Sequence, residues 1–567
     1  MSMDSRFLKI SEAFLEEFLA SSPVTATGLG DHRFDDQLDH VDEPARKRRV
    51  AMARSRLDEL DEIDFGQLSR SNQVDYLMLS QRLEQIAWEV ETLREWEWNP
   101  LVYAGIPGSS LYLLLSRDFA PLPERLALVA ARCRQFERFF GQARDSLSKE
   151  LTPRIHAETA VEQNRGILTL IELLVVPELA SLTEEQRAEV ESAIREARAA
   201  IEEHQRWLED KLLPKAQGNP RLEEGLFRQK FAYSLFNSFT PEELRNRANG
   251  AREELHRRMY ELSVEIIVDS ESGFAVPEDP TDEDRKEIIR RGLELACEDA
   301  PSEEEVVAAA YHSLEITTEF VREKDLLTLP GDPLEIILMP EFRRGVSVAY
   351  CDAPGPLEKG GKTFYAVSPP PEEWSEQQVQ SFLREYNRRS LHNLTVHEAM
   401  PGHYVQLLLS NESSTRLRSV LASGTFIEGW AVYTEGMMIE QGFLSGDRLM
   451  ELVVLKWNLR GVCNALLDQM IHLDGVDEEE AMHLMVEEGF QEEREAAGKY
   501  RRSLLTSVQL STYFAGYEEV FEIRNAAEAA WGEEFRIKEY HDRLLSFGSP
   551  PPRFVRALLL EEPITLS

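Results

Sequence analysis

The chain has 567 residues, 42% of them hydrophobic and 29% charged, which suits a folded globular protein and leaves room for several domains or one large helical assembly. Lys and Arg number 63 against 102 Asp and Glu, a formal charge of −39, and such a field repels nucleic acids and anionic membrane surfaces. Cys133, Cys297, Cys351 and Cys463 lie far apart with no paired spacing, so neither a disulfide framework nor a cysteine-bound metal is expected.

At the N-terminus Phe7, Leu8, Phe14, Leu15, Phe18 and Leu19 recur at helical spacing, interrupted by charged residues. A secretory leader needs an unbroken apolar run, which this is not. No later segment is apolar for long enough to span a bilayer, so a cytoplasmic protein with no membrane partner is expected. Most of the remaining chain reads as helix. The stretches 45–64, 73–98 and 183–212 are rich in Ala, Leu, Glu and Arg and turn apolar every three or four residues. Capping patterns predict helix starts after Thr240, Thr281 and Ser302. The apolar stripes are wide and often broken by Pro or Gly, which favours a packed bundle over a coiled coil.

Strand-like material is confined to residues 326–371. "LEIILMP", "GVSVAYCDA" and "KTFYAVSPPPEEW" are short, β-branched or aromatic, and bounded by Gly and Pro. Two breaks, at 276–285 and 353–374, divide the chain into an N-terminal helical region, 1–275, and a region of helices plus a small sheet, 276–567, that carries the chemistry. The two are expected to form one continuous helical body.

"HEAMPGH", His397 to His403, is the first candidate site. In an unbroken helix, side chains six residues apart differ in direction by about 120°, so His397 and His403 would not converge. Pro401-Gly402 is the dipeptide that interrupts a helix, and a local turn there would bring His403 back to the side of His397. The competing reading is a helix that ends at Met400, with His403 pointing elsewhere. Downstream, "FIEGWAVYTEGM" carries Glu428 and Glu435, seven apart and so within about 20° of one helical face. Two carboxylates on an apolar, aromatic helix are costly unless a cation lies beside them. Solvated glutamates beside core aromatics are the bland alternative. Two His and a downstream Glu are the ligands of a widespread class of zinc hydrolases, which keep one position for water and use the Glu beside the first His as general base. Here the ligands are His397, His403 and Glu428, the base is Glu398, and Glu435 orients a ligand histidine.

"HEAMPGHYVQ" followed by "EGWAVYTE" resembles the paired signatures of bacterial domain-of-unknown-function family 885. The resemblance extends to "SPVTATGLGDHRFDDQLDH" near the start, "LDQMIHLDG" around Asp468 and His472, "QLSTYFAGYEEVFEIR" and "YHDRLLSFGSPPP". In the segment around Asp468 and His472, Met470 stands where the family pattern has Gly. The resemblance implies a mainly helical enzyme with a central cleft, of the zincin-like, Glu-ligand metallopeptidase type, and it leaves the substrate open. Peptide hydrolysis passes through an oxyanion that a Tyr or His donor can share with the metal. Tyr513 and His472 are candidates for that role, Arg501 for anchoring a substrate carboxylate, and Asp468 for support behind the ligands. Taken alone, each reads as a packing or surface residue before it reads as a catalytic one. His392, off the face of His397, and His541-Asp542 read as structural.

The expected activity is therefore zinc-dependent hydrolysis of peptide or other amide bonds in short peptides, with Glu398 taking the proton of a metal-bound water. Two other classes share the residues. A non-heme iron oxygenase also uses two His and one carboxylate, although such triads usually sit on β-barrels. A helical binding protein could retain the fold without activity.

Overall fold

The computed structural model describes residues 2–270, 274–331, 334–339, 349–358, 360–371, 374–413 and 415–566. Helices dominate, and the capping patterns mark their starts. Thr281 and Asp284 form a reciprocal capping box at the helix Asp282–Cys297, as do Thr183 and Gln186 at Glu184–Trp207. The Thr240 hydroxyl accepts from Glu243 N, while the Glu243 carboxylate accepts from Thr240 N. The predicted helix over 73–98 is interrupted instead of continuous. Arg70–Trp88 runs into a π-helical turn, Glu89–Leu93, and Arg94 adopts a left-handed conformation before Glu95–Trp98. Periodicity of side chains does not register a single added backbone residue in a turn.

Among the described residues the sheet has three short strands, β1 (Leu334–Leu338), β2 (Ala349–Asp352) and β3 (Thr363–Val367), in the order β1-β3-β2. β1 runs parallel to β3, and β2 is an antiparallel edge. Residues 340, 345–348 and 372–373 of the predicted strand segments lie outside the described residues. Tyr365 of β3 is buried and its hydroxyl meets Thr395 Oγ1 at 3.1 Å, which docks the sheet onto the helix carrying His397.

Two large apolar clusters make up much of the core, and the first contains that helix. One joins Ile336, Ala349, Tyr365 and Val367 of the sheet to Leu391, Leu394, Val396, Phe426, Trp430 and Tyr433. The other draws on both sides of position 275, packing Phe227, Phe231 and Ile266 with Leu452, Leu459, Leu466 and Phe514. The helices Gly424–Glu440 and Ser511–Trp531 cross through glycine: a Cβ on Gly429 would stand 2.4 Å from the Gly516 carbonyl carbon, and one on Gly516 would stand 2.1 Å from Thr425 O. All four cysteines are free thiols. Among the described residues no helix is long and apolar enough to cross a membrane.

Candidate metal centre

The helix Arg388–Glu398 starts at Asn387, whose side chain accepts from Arg389 N and Ser390 N, both at 3.1 Å. It ends with Ala399 N and Met400 N both donating to Thr395 O at 2.9 Å. The Met400–Pro401 peptide is cis, Gly402 N donates back to Val396 O at 2.9 Å, and a new helix begins at His403. Only glycine fits at 402, because a Cβ there would lie 1.8 Å from the His397 carbonyl oxygen. Trp430 Nε1 donates to Pro401 O at 3.0 Å and braces the break from the neighbouring helix. The inserted dipeptide thus does what its residue types predict. The two imidazoles stand 4.7 Å apart, nearly perpendicular.

Glu428, from the helix Gly424–Glu440, completes the group. Its Oε2 lies 3.7 Å from Nε2 of His397 and 3.7 Å from Nε2 of His403. That is too long for a hydrogen bond, and this buried oxygen has no hydrogen-bond partner among the described residues. One donor atom from each of His397, His403 and Glu428 lies within 4.8 Å of the others, a grouping able to share one cation.

Seven residues on, Glu435 stands on the opposite side of the His397 ring. Its Oε1 is 2.8 Å from Nδ1, and its Oε2 accepts from Asn393 Nδ2 at 2.7 Å. The two glutamates, two helical turns apart, therefore bracket one imidazole. Burial opposes charge on His397, but Glu428 and Glu435 outweigh it and hold its pKa well above the ordinary value. Burial likewise works against the Glu428 carboxylate, yet the two histidines hold its pKa far below the usual range. Glu398 extends from the same helix end, and its Oε2 accepts from Cys351 N of β2 at 3.0 Å.

The C-terminal candidates go elsewhere. His472 is buried with its ring committed to backbone: Nδ1 meets Leu222 N at 3.1 Å, and Nε2 faces Ser503 O at 3.2 Å and Thr506 O at 3.0 Å. Asp468 accepts from Val508 N, Ser511 N and Ser511 Oγ, which shapes the turn into the helix Ser511–Trp531 and leaves the ligands untouched. Arg501 is half exposed, donates to Thr159 Oγ1 at 2.8 Å and approaches Glu162 at 3.7 Å. Tyr513 lies one turn before Gly516, on the helix that crosses beside Glu428, and its hydroxyl accepts from Gln509 at 3.2 Å. His392 meets Ser313, and His541 is held between Tyr433 and Leu326 O, both structural placements. Sequence reasoning passed over Asn393 and Cys351. Asn393 carried a signal, since it lies four residues before His397 on the same helical face. Cys351 acts through its backbone N–H, which no residue type announces.

The family described as "Bacterial protein of unknown function (DUF885)" matches residues 23–559. The chain belongs to it. A solved structure from Shewanella oneidensis, a "putative lipoprotein of unknown function", is similar to the chain at 33% identity and a TM-score of 0.82, over 98% of this chain and 99% of that one. A "putative lipoprotein" from Colwellia psychrerythraea shares the fold at 16% identity and a TM-score of 0.80, over 99% of each chain. No curated protein matches. The family description and both neighbours leave the activity open.

Proposed function

We propose that this family member is a zinc-dependent hydrolase of peptide or other amide bonds in short peptides, a relative of the zincin-like metallopeptidases. The observation that carries the reading is the convergence of His397 Nε2 and His403 Nε2 on Glu428 Oε2, a buried oxygen that has no hydrogen-bond partner among the described residues. Donors bound tetrahedrally to one zinc ion at about 2.0–2.2 Å stand roughly 3.3–3.6 Å apart. Separations of 3.7 Å from Glu428 to each histidine fit such an ion with only a small inward movement. Glu435 supports the same reading, because a carboxylate on Nδ1 fixes the tautomer that turns the Nε2 lone pair toward Glu428.

Zinc, when bound, supplies a Lewis acid that polarises the scissile carbonyl and lets water lose a proton near neutral pH. Glu398 takes that proton on its carboxylate and passes it to the leaving amine. The Cys351 N–H on Oε2 leaves the other oxygen of Glu398 for this work and fixes the direction in which the carboxylate points. Tyr513 is kept as the candidate oxyanion donor because a Tyr hydroxyl can share the oxyanion charge with the metal, and His472 drops out because both its nitrogens are engaged.

The test is a mass-spectrometric peptide-library digest by the full chain, with and without chelator, beside metal analysis of protein purified without added metal. Chelator-sensitive cleavage with zinc bound is expected. Iron in place of zinc, without cleavage, would favour the oxygenase reading, and tight zinc without cleavage would favour an inactive binding protein. A cytoplasmic location belongs to the same proposal, and cell fractionation checks it against the lipoprotein names of the two neighbours.

A further inference from the structure

The opening segment 23–35 supplies no ligand or base, yet it is fastened to the end of the strand that touches Glu398. Leu357 N donates to Leu29 O at 2.8 Å. The two stretches approach so closely that a Cβ on Gly30 would lie 2.3 Å from Glu358 N, and one on Gly355 would lie 2.3 Å from the Leu29 carbonyl carbon. His32 binds Asp35 through Nδ1 at 2.7 Å and Glu358 through Nε2 at 2.9 Å, and its ring stacks on Phe119 with centroids 3.7 Å apart. Arg117, two residues before Phe119, then reaches the strand itself. Its guanidinium donates to Asp352 Oδ1 at 2.6 Å, Asp352 O at 3.1 Å, Ala353 O at 2.8 Å and Lys362 O at 2.7 Å. Asp352 ends β2 and Lys362 immediately precedes β3, so one side chain ties together both ends of the connection 353–362.

Among the described residues β2 has four residues and one neighbouring strand, so little else there in the sheet fixes its position. Its outward-facing amide at Cys351 is the one that holds Glu398. We propose that Arg117, seated by the opening segment, is a positioning residue for Glu398: it fixes the end of β2 so that the Cys351 N–H stays on the Glu398 carboxylate. Lysine cannot replace it fully, because one ammonium lacks the rigid fork that reaches four oxygens. The consequence for turnover rests on the hydrolase reading, whereas the hydrogen bond itself does not.

Hydrogen exchange with mass spectrometry on the full chain tests this directly. In the peptide covering residues 349–353 the Cys351 amide is expected to exchange slowly, beside those that pair with β3, and about tenfold or more faster when Glu398→Ala removes its acceptor. Arg117→Ala is expected to give the same acceleration with zinc content and circular dichroism unchanged, and Arg117→Lys an intermediate one. On any library peptide that the natural chain cleaves, Arg117→Ala should lower kcat about tenfold at unchanged KM, in the range typical of residues behind a metal site. A folded Arg117→Ala protein whose Cys351 amide exchanges at the natural rate would overturn the proposal. If Arg117→Ala does not fold, Asp352→Asn weakens the same ion pair and leaves the carbonyl acceptors, and a natural exchange rate there overturns it equally. If the amides behave as expected but no peptide is cleaved, the hydrolase reading fails and the clamp stands.

Discussion

His397 and Glu435 share a 2.8 Å hydrogen bond, and Asn393 holds the second oxygen of the same carboxylate. Two side chains, Glu435 directly and Asn393 through it, thereby set the rotation of one imidazole. A misoriented ring offers its lone pair in the wrong direction, so the expected effect of Glu435→Gln is a loss of about 10–100-fold in zinc affinity with the fold intact. Asn393→Ala should produce a smaller loss. Competition against a chromophoric chelator measures both, and zinc binding of natural strength in the two variants would remove Glu435 from the centre.

Ligand and base are expected to separate cleanly. Glu398→Gln keeps the size and the Cys351 contact but cannot accept a proton, so turnover should vanish while zinc stays bound. His403→Ala and Glu428→Ala each delete one of the three convergent donors and should release the metal. Metal content after gel filtration is the readout. Retention of stoichiometric zinc by both alanine variants would mean that the ion sits elsewhere.

The convergence of His397, His403 and Glu428 is legible because these residues occupy two short sequence segments with helical registers that can be counted. Glu428 and Glu435 share a face by arithmetic, and Pro401-Gly402 announces a break by residue type alone. The sheet was legible as strands but not as topology. Hydropathy says nothing of β1 passing over β2, the next strand in sequence, to pair parallel with β3. His472 and Asp468 show a different limit. A histidine held by three backbone groups is as constrained as a catalytic one, and the sequence pattern around it looks the same. Cys351 and the Arg117 contacts were invisible because their acceptors and donors are largely main-chain atoms.

Gly402 offers a test of the break itself. A methyl group there would overlap the His397 carbonyl, and neither partner is a flexible side chain that can swing away. Relief requires the backbone between the two ligands to move, at a cost of about 1–3 kcal/mol or more. Gly402→Ala is therefore expected to lower the melting temperature and the zinc affinity together. Gly436→Ala is the control, since a Cβ at that helical position meets nothing within 4 Å. Equal behaviour of the two variants would contradict the close approach at 402.

Acid sensitivity should trace in part to His204, far from the centre in sequence and role. Its ring is 5% exposed, stacked 4.4 Å from Phe140 and 5.7 Å from Trp207, and its Nδ1 has no hydrogen-bond partner among the described residues. Burial pushes its pKa down from 6.5 to about 3, with Arg144 adding to the effect. The unfolded chain takes up this proton near pH 6.5 and the folded chain does not until about pH 3. Between those values the unfolded state binds more protons, so stability falls as the pH drops, by about 2 kcal/mol from this group at pH 5. His204→Phe keeps the aromatic stack and removes the proton site. Urea melts between pH 7.5 and 4.5 should show the slope of stability against pH reduced by about 1.4 kcal/mol per unit in the acidic half, with little change at pH 7.5. An unaltered slope would mean that His204 titrates alike in the folded and unfolded chain.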